Sequence, residues 1–284
     1  GTLEIRIMDT AGPPKFFYEI FDASLPRLGP GDEASTTRAW RTLYAAMARD
    51  KDRAAGPMRI LDIGCGNGAQ TICLAQHVNG SILAVDNHPP FLDELQRRAA
   101  AAGVAAKIQV ALRDMHTLTK DDGPFDVVWS EGALFVMGFR EGLTACGALL
   151  EPGGGLVVSE LAWLRPDPPE NCRRFWAEAY PAMTSIADNL ALIEACGYEV
   201  LEHFAQPESA WWEPYYHPLE RRLGVLRKQY AADAEKLALM ESIQKEMLGF
   251  ISGESERINR MLTSFLEFKE RRCASFRFPT SISG

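Results

Sequence analysis

The chain has 284 residues, of which 46% are hydrophobic and 24% are charged, the proportions of an ordinary globular protein. This length allows one large domain, or one domain with an insertion, around a sizeable core. The net charge of −8 argues against a bare nucleic-acid surface, which needs a basic stripe, and against an anionic membrane as a partner. No run approaches about 18 apolar residues, so we expect no membrane insertion.

The six cysteines are scattered along the chain without a C-x-x-C pair, at positions 65, 73, 146, 172, 196 and 273. Several of them lie inside apolar helical or strand patterns. We therefore predict reduced, buried thiols in a cytoplasmic protein. No group of histidines and cysteines has the spacing of metal ligands, so we predict no metal site.

Two helices are predicted before the first strand. The first covers the aromatic-rich residues 16–25 and ends at Pro26. Residues 28–32 contain a Gly-Pro-Gly sequence and must form a loop. Ser35 or Thr36 is the expected cap of the second helix.

The most informative stretch is residues 58–68. An apolar run at residues 60–63 has the pattern of a strand buried on both faces of a parallel sheet. It ends in three glycines at alternate positions, Gly64, Gly66 and Gly68, and an apolar-periodic helix follows. Glycine allows positive φ and close approach of a ligand, and the helix start presents free N–H groups. This stretch predicts a strand, a ligand-binding turn and a helix.

The glycine spacing separates two classes of nucleotide-binding protein. The dinucleotide fingerprint is G-x-G-x-x-G, with the last glycine packed under a pyrophosphate. Here the spacing is G-x-G-x-G, and Ala69 stands where the third glycine of that fingerprint would be. Asp62 lies two residues before the first glycine. The pattern therefore disfavours a nicotinamide-dependent oxidoreductase, which we keep as a less favoured alternative.

Four more strands of the core follow, and most end in a polar residue. Residues 81–86 end at Asp86, and residues 107–112 are followed by Asp114 and Met115. Residues 124–130 are followed by Glu131. A glycine-rich turn at 149–155 then leads into the strand at 156–159. Because ligands of doubly wound sheets bind beyond the carboxyl ends of the strands, we expect these residues to face one site. Residues 198–205 are predicted to form a sixth strand.

An unusual helical pattern follows the sixth strand. Apolar residues recur at helical spacing from 219 to 251 and again from 258 to 268, with a break at Ser252-Gly253. The pattern predicts a helical hairpin of about 50 residues inserted before a last strand at residues 274–279. Core packing against the sheet, a lid over the substrate, and the surface of a homodimer are its open interpretations.

Five pieces in this order resemble the class I S-adenosylmethionine (SAM)-dependent methyltransferases: residues 62–68, Asp86, Asp114, the pair Ser130-Glu131, and the turn at 149–155. The resemblance implies an α/β Rossmann-like, doubly wound sheet of seven strands, the last antiparallel. It divides the chain into an N-terminal helical lid segment (1–57), a SAM-binding core (58–206), a helical insertion (207–272) and a final core strand (273–284). In such enzymes the segment before the first strand often covers the cofactor. Plain packing of that segment is the alternative.

The resemblance also implies the cofactor SAM, its product S-adenosylhomocysteine, and a set of site residues. Asp86 would accept the ribose hydroxyls, Asp114 the adenine amine, and Met115 would lie against the ring. The full cofactor set is Asp62, Gly64, Cys65, Gly66, Asn67, Gly68, Asp86, Asn87, Asp114, Met115, Ser130 and Glu131.

The implied function is methyl transfer to a small organic acceptor. The resemblance is to the small-molecule branch that includes ubiquinone and menaquinone biosynthesis methyltransferases, which C-methylate a quinol ring. Glu131 is our first candidate for a catalytic base, ahead of Glu160 and His217, with Tyr18 and Tyr180 as positioning residues. Aromatic residues expected near the site suit an aromatic or amine acceptor: Phe135, Trp163, Trp176, Tyr180, Trp211, Trp212, Tyr215 and Tyr216. A non-catalytic SAM-binding module that acts through a protein partner is the alternative function.

Overall fold

The computed structural model describes residues 15–49, 56–168, 170–251 and 262–270. They form an eight-stranded sheet in the order β3-β2-β1-β4-β5-β8-β7, with β6 paired to β5 outside this path. The strands are β1 Met58–Ile63, β2 Gly80–Asp86, β3 Ile108–Leu112, β4 Phe125–Glu131, β5 Leu150–Trp163, β6 Thr184–Ser185, β7 Tyr198–Ala205 and β8 Leu262–Glu270.

Helices cover both faces of this sheet. They are α1 Lys15–Ile20, α2 Glu33–Met47, α3 Ala69–His77, α4 Pro89–Ala101, α5 Phe139–Leu149, α6 Glu170–Ala179, α7 Ile186–Ala195, α8 His217–Gln229 and α9 Ala234–Ile251. Among the described residues, none of these helices is long and apolar enough to span a membrane.

The parallel core explains the apolar run of the first strand. β1 pairs in parallel with β2 on one side and with β4 on the other, so the strand order reverses at β1. Helix α2 packs on one face through residues such as Leu43, and α5 packs on the other face through residues such as Leu143. Residues Ile60 and Leu61, which point to opposite faces, are both 0% exposed. Burial on both faces therefore selects a continuous apolar strand rather than an alternating one.

The far edge of the sheet corrects two expectations. The predicted count of seven strands is wrong, because the two-residue strand β6 pairs with β5. The second half of the predicted hairpin is also wrong, because residues 262–270 form β8, which pairs antiparallel with both β5 and β7. The helical hairpin is made by α8 and α9 alone, joined at residues 230–233. The last strand expected at 274–279 lies outside the described residues.

A tertiary constraint accounts for the misplaced helix. The backbone of β8 pairs with two neighbours along nearly its whole length and closes the gap between β5 and β7. Spacing of apolar residues by three or four favours a helix, but pairing with two flanking strands outweighs this local preference here.

The N-terminal segment packs against the helical hairpin. Residues of α1 such as Phe16 and Ile20 share a buried cluster with Leu219 and Leu223 of α8 and Met240 of α9. The cap of α2 is Asp32, whose Oδ1 accepts from the Ser35 amide at 2.6 Å, rather than the expected Ser35 or Thr36. This leaves the Thr36 hydroxyl available for a contact with the sheet.

A prediction concerns the close packing of the glycine turn against α4. Gly68 has φ of 82°, and a Cβ on it would lie 2.1 Å from Leu95 Cδ1. We expect Gly68→Ala to lower the free energy of unfolding by at least about 2 kcal/mol, because it combines a left-handed backbone with overpacking. Urea denaturation measures the change.

Gly224→Ala in α8 is the matched control, because a Cβ there meets nothing within 4 Å. This helix substitution should stabilise the protein by about 0.5 to 1 kcal/mol. Equal effects of the two substitutions would contradict the packing explanation.

Candidate functional site

A cavity of about 410 Å³ opens at the carboxyl ends of the core strands. Its wall combines α1, the loop at residues 27–30, the glycine turn, and the segments that follow β2, β3 and β4. Nine of the twelve expected cofactor residues line it: Gly64, Cys65, Gly66, Asn67, Asp86, Asn87, Asp114, Met115 and Glu131. A cavity of this size accommodates a small organic ligand.

Asp86 is held at the carboxyl end of β2 by two backbone N–H groups. Its Oδ2 accepts from the Gly66 amide at 2.9 Å and its Oδ1 accepts from the His88 amide at 2.9 Å. Burial raises the pKa of Asp86, while these hydrogen bonds lower it. Each carboxylate oxygen can accept a further hydrogen bond, and Asp86 lines the cavity, so this side chain can bind a hydroxylated ligand.

Asp62 lies beneath the glycine turn and does not line the cavity. Its Oδ2 accepts from the Thr71 hydroxyl at 2.6 Å, and its Oδ1 has no hydrogen-bond partner among the described residues. Burial raises the pKa of Asp62 to about 7. The side chain therefore supports the first turn of α3 from below rather than facing the cavity.

Two further expected cofactor residues lie outside the cavity wall. Gly68 is the residue before α3, and Ser130 is buried with its hydroxyl donating to the Ile63 carbonyl at 3.0 Å. That bond ties β4 to β1 at the point where the strand order reverses. Gly68 shapes the site through its backbone conformation, and Ser130 does so through its side-chain hydroxyl.

The wall beyond β3 combines an acid with an apolar side chain, as expected. Asp114 accepts from the His116 amide at 2.9 Å, which lowers the pKa of its carboxyl, and the His116 ring nitrogen Nδ1 lies 2.7 Å from the same oxygen. Met115 is half-buried, and its Cε approaches the position of Gly64. The pair offers an acceptor and an apolar surface side by side.

Glu131 is engaged in a buried network rather than free. Its Oε2 accepts from Arg27 at 2.7 Å, and its Oε1 accepts from the Thr36 hydroxyl at 2.8 Å and from Trp129 Nε1 at 3.0 Å. The side chains of Arg27 and Glu131 are 9% and 3% exposed. These three donors fix the position of the Glu131 carboxylate in the cavity wall.

Neither Arg27 nor the contact that Asn67 makes with the N-terminal segment was predicted from the sequence. The Asn67 amide donates to the backbone carbonyls of Ala23 and Leu25, at 3.1 and 2.6 Å. Together with the Arg27–Glu131 pair, these bonds attach the N-terminal segment to the glycine turn and to β4. Neither contact has a local sequence signal, because the partners are 42 or more positions apart.

The N-terminal segment both packs and covers the cavity. Phe17, Tyr18 and Phe21 line the cavity from α1, as do Leu28, Gly29 and Pro30 from the following loop. The Tyr18 ring stacks on His88 with a centroid distance of 3.6 Å and an interplanar angle of 2°. A position over the cavity and plain packing of the segment, the two interpretations left open by the sequence, are therefore compatible.

Most aromatic residues expected at the site lie elsewhere. Phe135 lines the cavity, whereas Trp176 and Tyr180 form a buried cluster with Trp163 packed against it. The remaining four belong to the cluster of α1, α8 and α9: Trp211, Trp212, Tyr215 and Tyr216. His217 is exposed at the start of α8 and does not line the cavity. Among the described residues no group of three or more acids, histidines or cysteines has a metal-binding arrangement.

The buried ion pair yields a stability prediction. Removing one partner leaves an uncompensated charge, so Arg27→Met should lower the free energy of unfolding by about 3 to 5 kcal/mol. The double variant, Arg27→Met with Glu131→Gln, should lose less free energy of unfolding than the sum of the losses in the two single variants. Urea denaturation of all four proteins gives the coupling energy.

The exposed pair of Arg165 and Asp167, 3.0 Å apart and 45% and 70% exposed, is the control cycle. Its coupling should stay below about 1 kcal/mol. Additive losses of unfolding free energy in the Arg27 and Glu131 variants would contradict the conclusion that this buried pair attaches the N-terminal segment to β4.

A pH prediction follows from Asp62. Its pKa is raised from 3.8 to about 7 in the folded protein. Because the folded state then binds more protons than the unfolded state between these values, stability falls as pH rises across this window. Asp62→Asn should flatten that fall, measured as the free energy of unfolding at several pH values.

The exposed Asp93, changed to Asn, controls for the loss of a charge. An unchanged pH slope in Asp62→Asn would show that Asp62 is not the group responsible.

Comparison with known proteins agrees with this geometry. Residues 60–154 match the family model described as a methyltransferase domain. The chain is 29% identical over 148 residues to an uncharacterised 37.1 kDa protein in transposon TN4556 of Streptomyces fradiae, covering 51% of this chain and 42% of that protein. It is 28% identical over 201 residues to 27-O-demethylrifamycin SV methyltransferase of Amycolatopsis mediterranei, covering 66% of this chain and 72% of the relative.

A solved structure shares the fold. The SAM-dependent methyltransferase from Geobacter sulfurreducens in complex with S-adenosyl-L-homocysteine superimposes with a TM-score of 0.71 at 20% identity, over 91% of this chain and 98% of that one. Residues 60–154 therefore match a methyltransferase domain, and the chain shares the fold of a SAM-dependent methyltransferase.

Proposed function

We propose that the protein binds SAM in the cavity and transfers its methyl group to a small organic acceptor. The observation that carries the proposal is Asp86, held by the Gly66 amide in the wall of a cavity behind a G-x-G-x-G turn. A carboxylate at the end of β2 is placed to accept both ribose hydroxyls of an adenosine. The cofactors bound by the structural relatives support this placement.

The polar groups of the wall suggest an orientation for the cofactor. Adenine would lie against Met115 with its amine toward Asp114, and the ribose would bind Asp86. The amino acid end of SAM is zwitterionic. Since Asp62 is closed beneath the turn, the Arg27–Glu131 pair is the charged group that this end would meet.

Methyl transfer from SAM requires the protein to position the nucleophile more than to activate it. A nucleophile attacks the sulfonium methyl carbon while the S–CH3 bond breaks and its electron pair stays on sulfur. The protein must hold the nucleophile in line and exclude water. The cover formed by Phe17, Tyr18 and Phe21 supports the second task, and Glu131 acts as a positioning residue through Arg27 and Thr36.

The acceptor is proposed to be apolar or aromatic, or an amine, because Phe135, Val136 and Phe21 line the cavity. Among the relatives, one is named for a rifamycin substrate, which supports a small-molecule acceptor. A quinol acceptor, as in the ubiquinone and menaquinone branch, falls within this class. The burial of Leu219, Leu223 and Met240 against α1 favours core packing of the insertion over a homodimer surface.

Calorimetric titration with SAM and S-adenosylhomocysteine tests the proposal. We expect wild-type protein to bind both ligands, and Asp86→Ala to bind them about 10- to 100-fold more weakly, because hydrogen bonds to a charged group are lost. Asp93→Ala, on the exposed side of α4, should bind as the wild type does.

NAD is the ligand control and should not bind. Failure of folded wild-type protein to bind either adenosyl ligand would overturn the methyltransferase proposal. Binding without turnover across a screen of phenols, quinols and amines would favour the non-catalytic SAM-binding module.

A further inference from the structure

A buried carboxyl group, that of Glu160, lies outside the lining of the cofactor cavity. Glu160 lies near the end of β5, one residue beyond Ser159, which is paired with Glu131 of β4. It is 3% exposed, and its carboxyl accepts from the Leu161 amide at 2.9 Å and from the Tyr180 hydroxyl. No described lysine, arginine or histidine forms a salt bridge with it. A buried carboxyl group in this state is costly unless a proton or a cation neutralises it.

The surroundings of Glu160 are aromatic. The Tyr180 hydroxyl interacts with its carboxyl, since the charge of Glu160 adds to burial in raising the pKa of Tyr180. Tyr180 is 5% exposed and packs in one cluster with Trp176, Met183 and Phe135. Burial raises the pKa of Glu160 to about 7, so the carboxyl ionises readily when a cation approaches.

Phe135 separates this cluster from the cofactor cavity. It lines the cavity, and its ring meets the Tyr180 ring edge-on at a centroid distance of 6.2 Å. The short helical turn that carries it, Leu134–Met137, stands between Gly132 and Gly138, with φ values of 65° and 83°. Phe135 therefore belongs both to the cavity wall and to the aromatic cluster around Tyr180.

We propose that Glu160 and Tyr180, together with the rings of Phe135 and Trp176, form the acceptor subsite, and that the acceptor is a cationic amine. A carboxylate recognises the positive charge, and aromatic ring faces attract an ammonium group through their quadrupoles. The subsite lies at the carboxyl edge of the sheet, as an acceptor of SAM must. This inference rests on the proposed function.

The same carboxylate accounts for the proton that N-methylation releases. Glu160 accepts one N–H proton from the ammonium group, which frees the nitrogen lone pair. Nitrogen then attacks the methyl carbon, the N–C bond forms as the S–C bond breaks, and the electron pair remains on the sulfur of S-adenosylhomocysteine. The methylated amine keeps one positive charge, and the proton on Glu160 passes to solvent when the product leaves.

The test uses full-length protein saturated with S-adenosylhomocysteine. Tetramethylammonium, choline and benzyltrimethylammonium are titrated by calorimetry, with 3,3-dimethylbutanol as the neutral isostere of choline. We expect the wild-type protein to bind at least one of these cations. If choline binds, its neutral isostere should bind at least tenfold more weakly. Glu160→Gln should weaken binding of the cation at least tenfold. The exposed Glu178→Gln on α6 should leave it unchanged.

Tyr180→Phe provides a second variant, and should weaken cation binding less than Glu160→Gln does. Titration with S-adenosylhomocysteine shows whether each variant is folded and separates the two proposals. Intact binding of S-adenosylhomocysteine without binding of any cation would overturn the amine subsite alone. Equal cation binding by Glu160→Gln and wild type, or equal binding of choline and its isostere, would also overturn it. Loss of binding of S-adenosylhomocysteine by the wild type would instead overturn the proposed function.

Discussion

The buried ion pair between Arg27 and Glu131 joins the segment before the sheet to the carboxyl end of β4. Its partners are 104 positions apart, and the Thr36 hydroxyl and Trp129 indole complete the coordination of the carboxylate. Because both charges are shielded from water, neither can lose its partner without leaving a desolvated charge behind. This constraint holds the N-terminal segment against the cavity, to which Phe17, Tyr18 and Phe21 contribute part of the wall.

Two buried carboxyl groups near the site differ in what surrounds them. Burial raises the pKa of both Asp62 and Glu160 to about 7. Asp62 is closed in beneath the glycine turn and accepts from Thr71, so it has a structural partner. Glu160 instead faces Tyr180 and an aromatic cluster that reaches the cavity through Phe135. The first stabilises the glycine turn, and the second is the group that we propose recognises a cation.

The cavity wall has a polar part and an aromatic part, and their positions follow from the order of the strands. The strand order reverses at β1, so the ends of β1, β2 and β4 converge where the glycine turn, Asp86 and Glu131 lie. Backbone amides and acids dominate this part of the wall, whereas α1 and the turn after β4 contribute aromatic rings. The polar part suits the adenosine of a cofactor, and the aromatic part suits an acceptor held next to it.

The amino-acid sequence by itself determined the glycine turn, the positions of Asp86 and Asp114 at strand ends, and the strand at residues 198–205. Each of these signals is local, because it depends on a glycine conformation or on the period of apolar residues within one element. Only the tertiary structure decided that residues 262–270 form a strand, that Asp62 turns away from the cavity, and that Arg27 holds Glu131. These outcomes depend on neighbours brought together from distant parts of the chain. A short stretch of sequence does not specify which neighbours those will be.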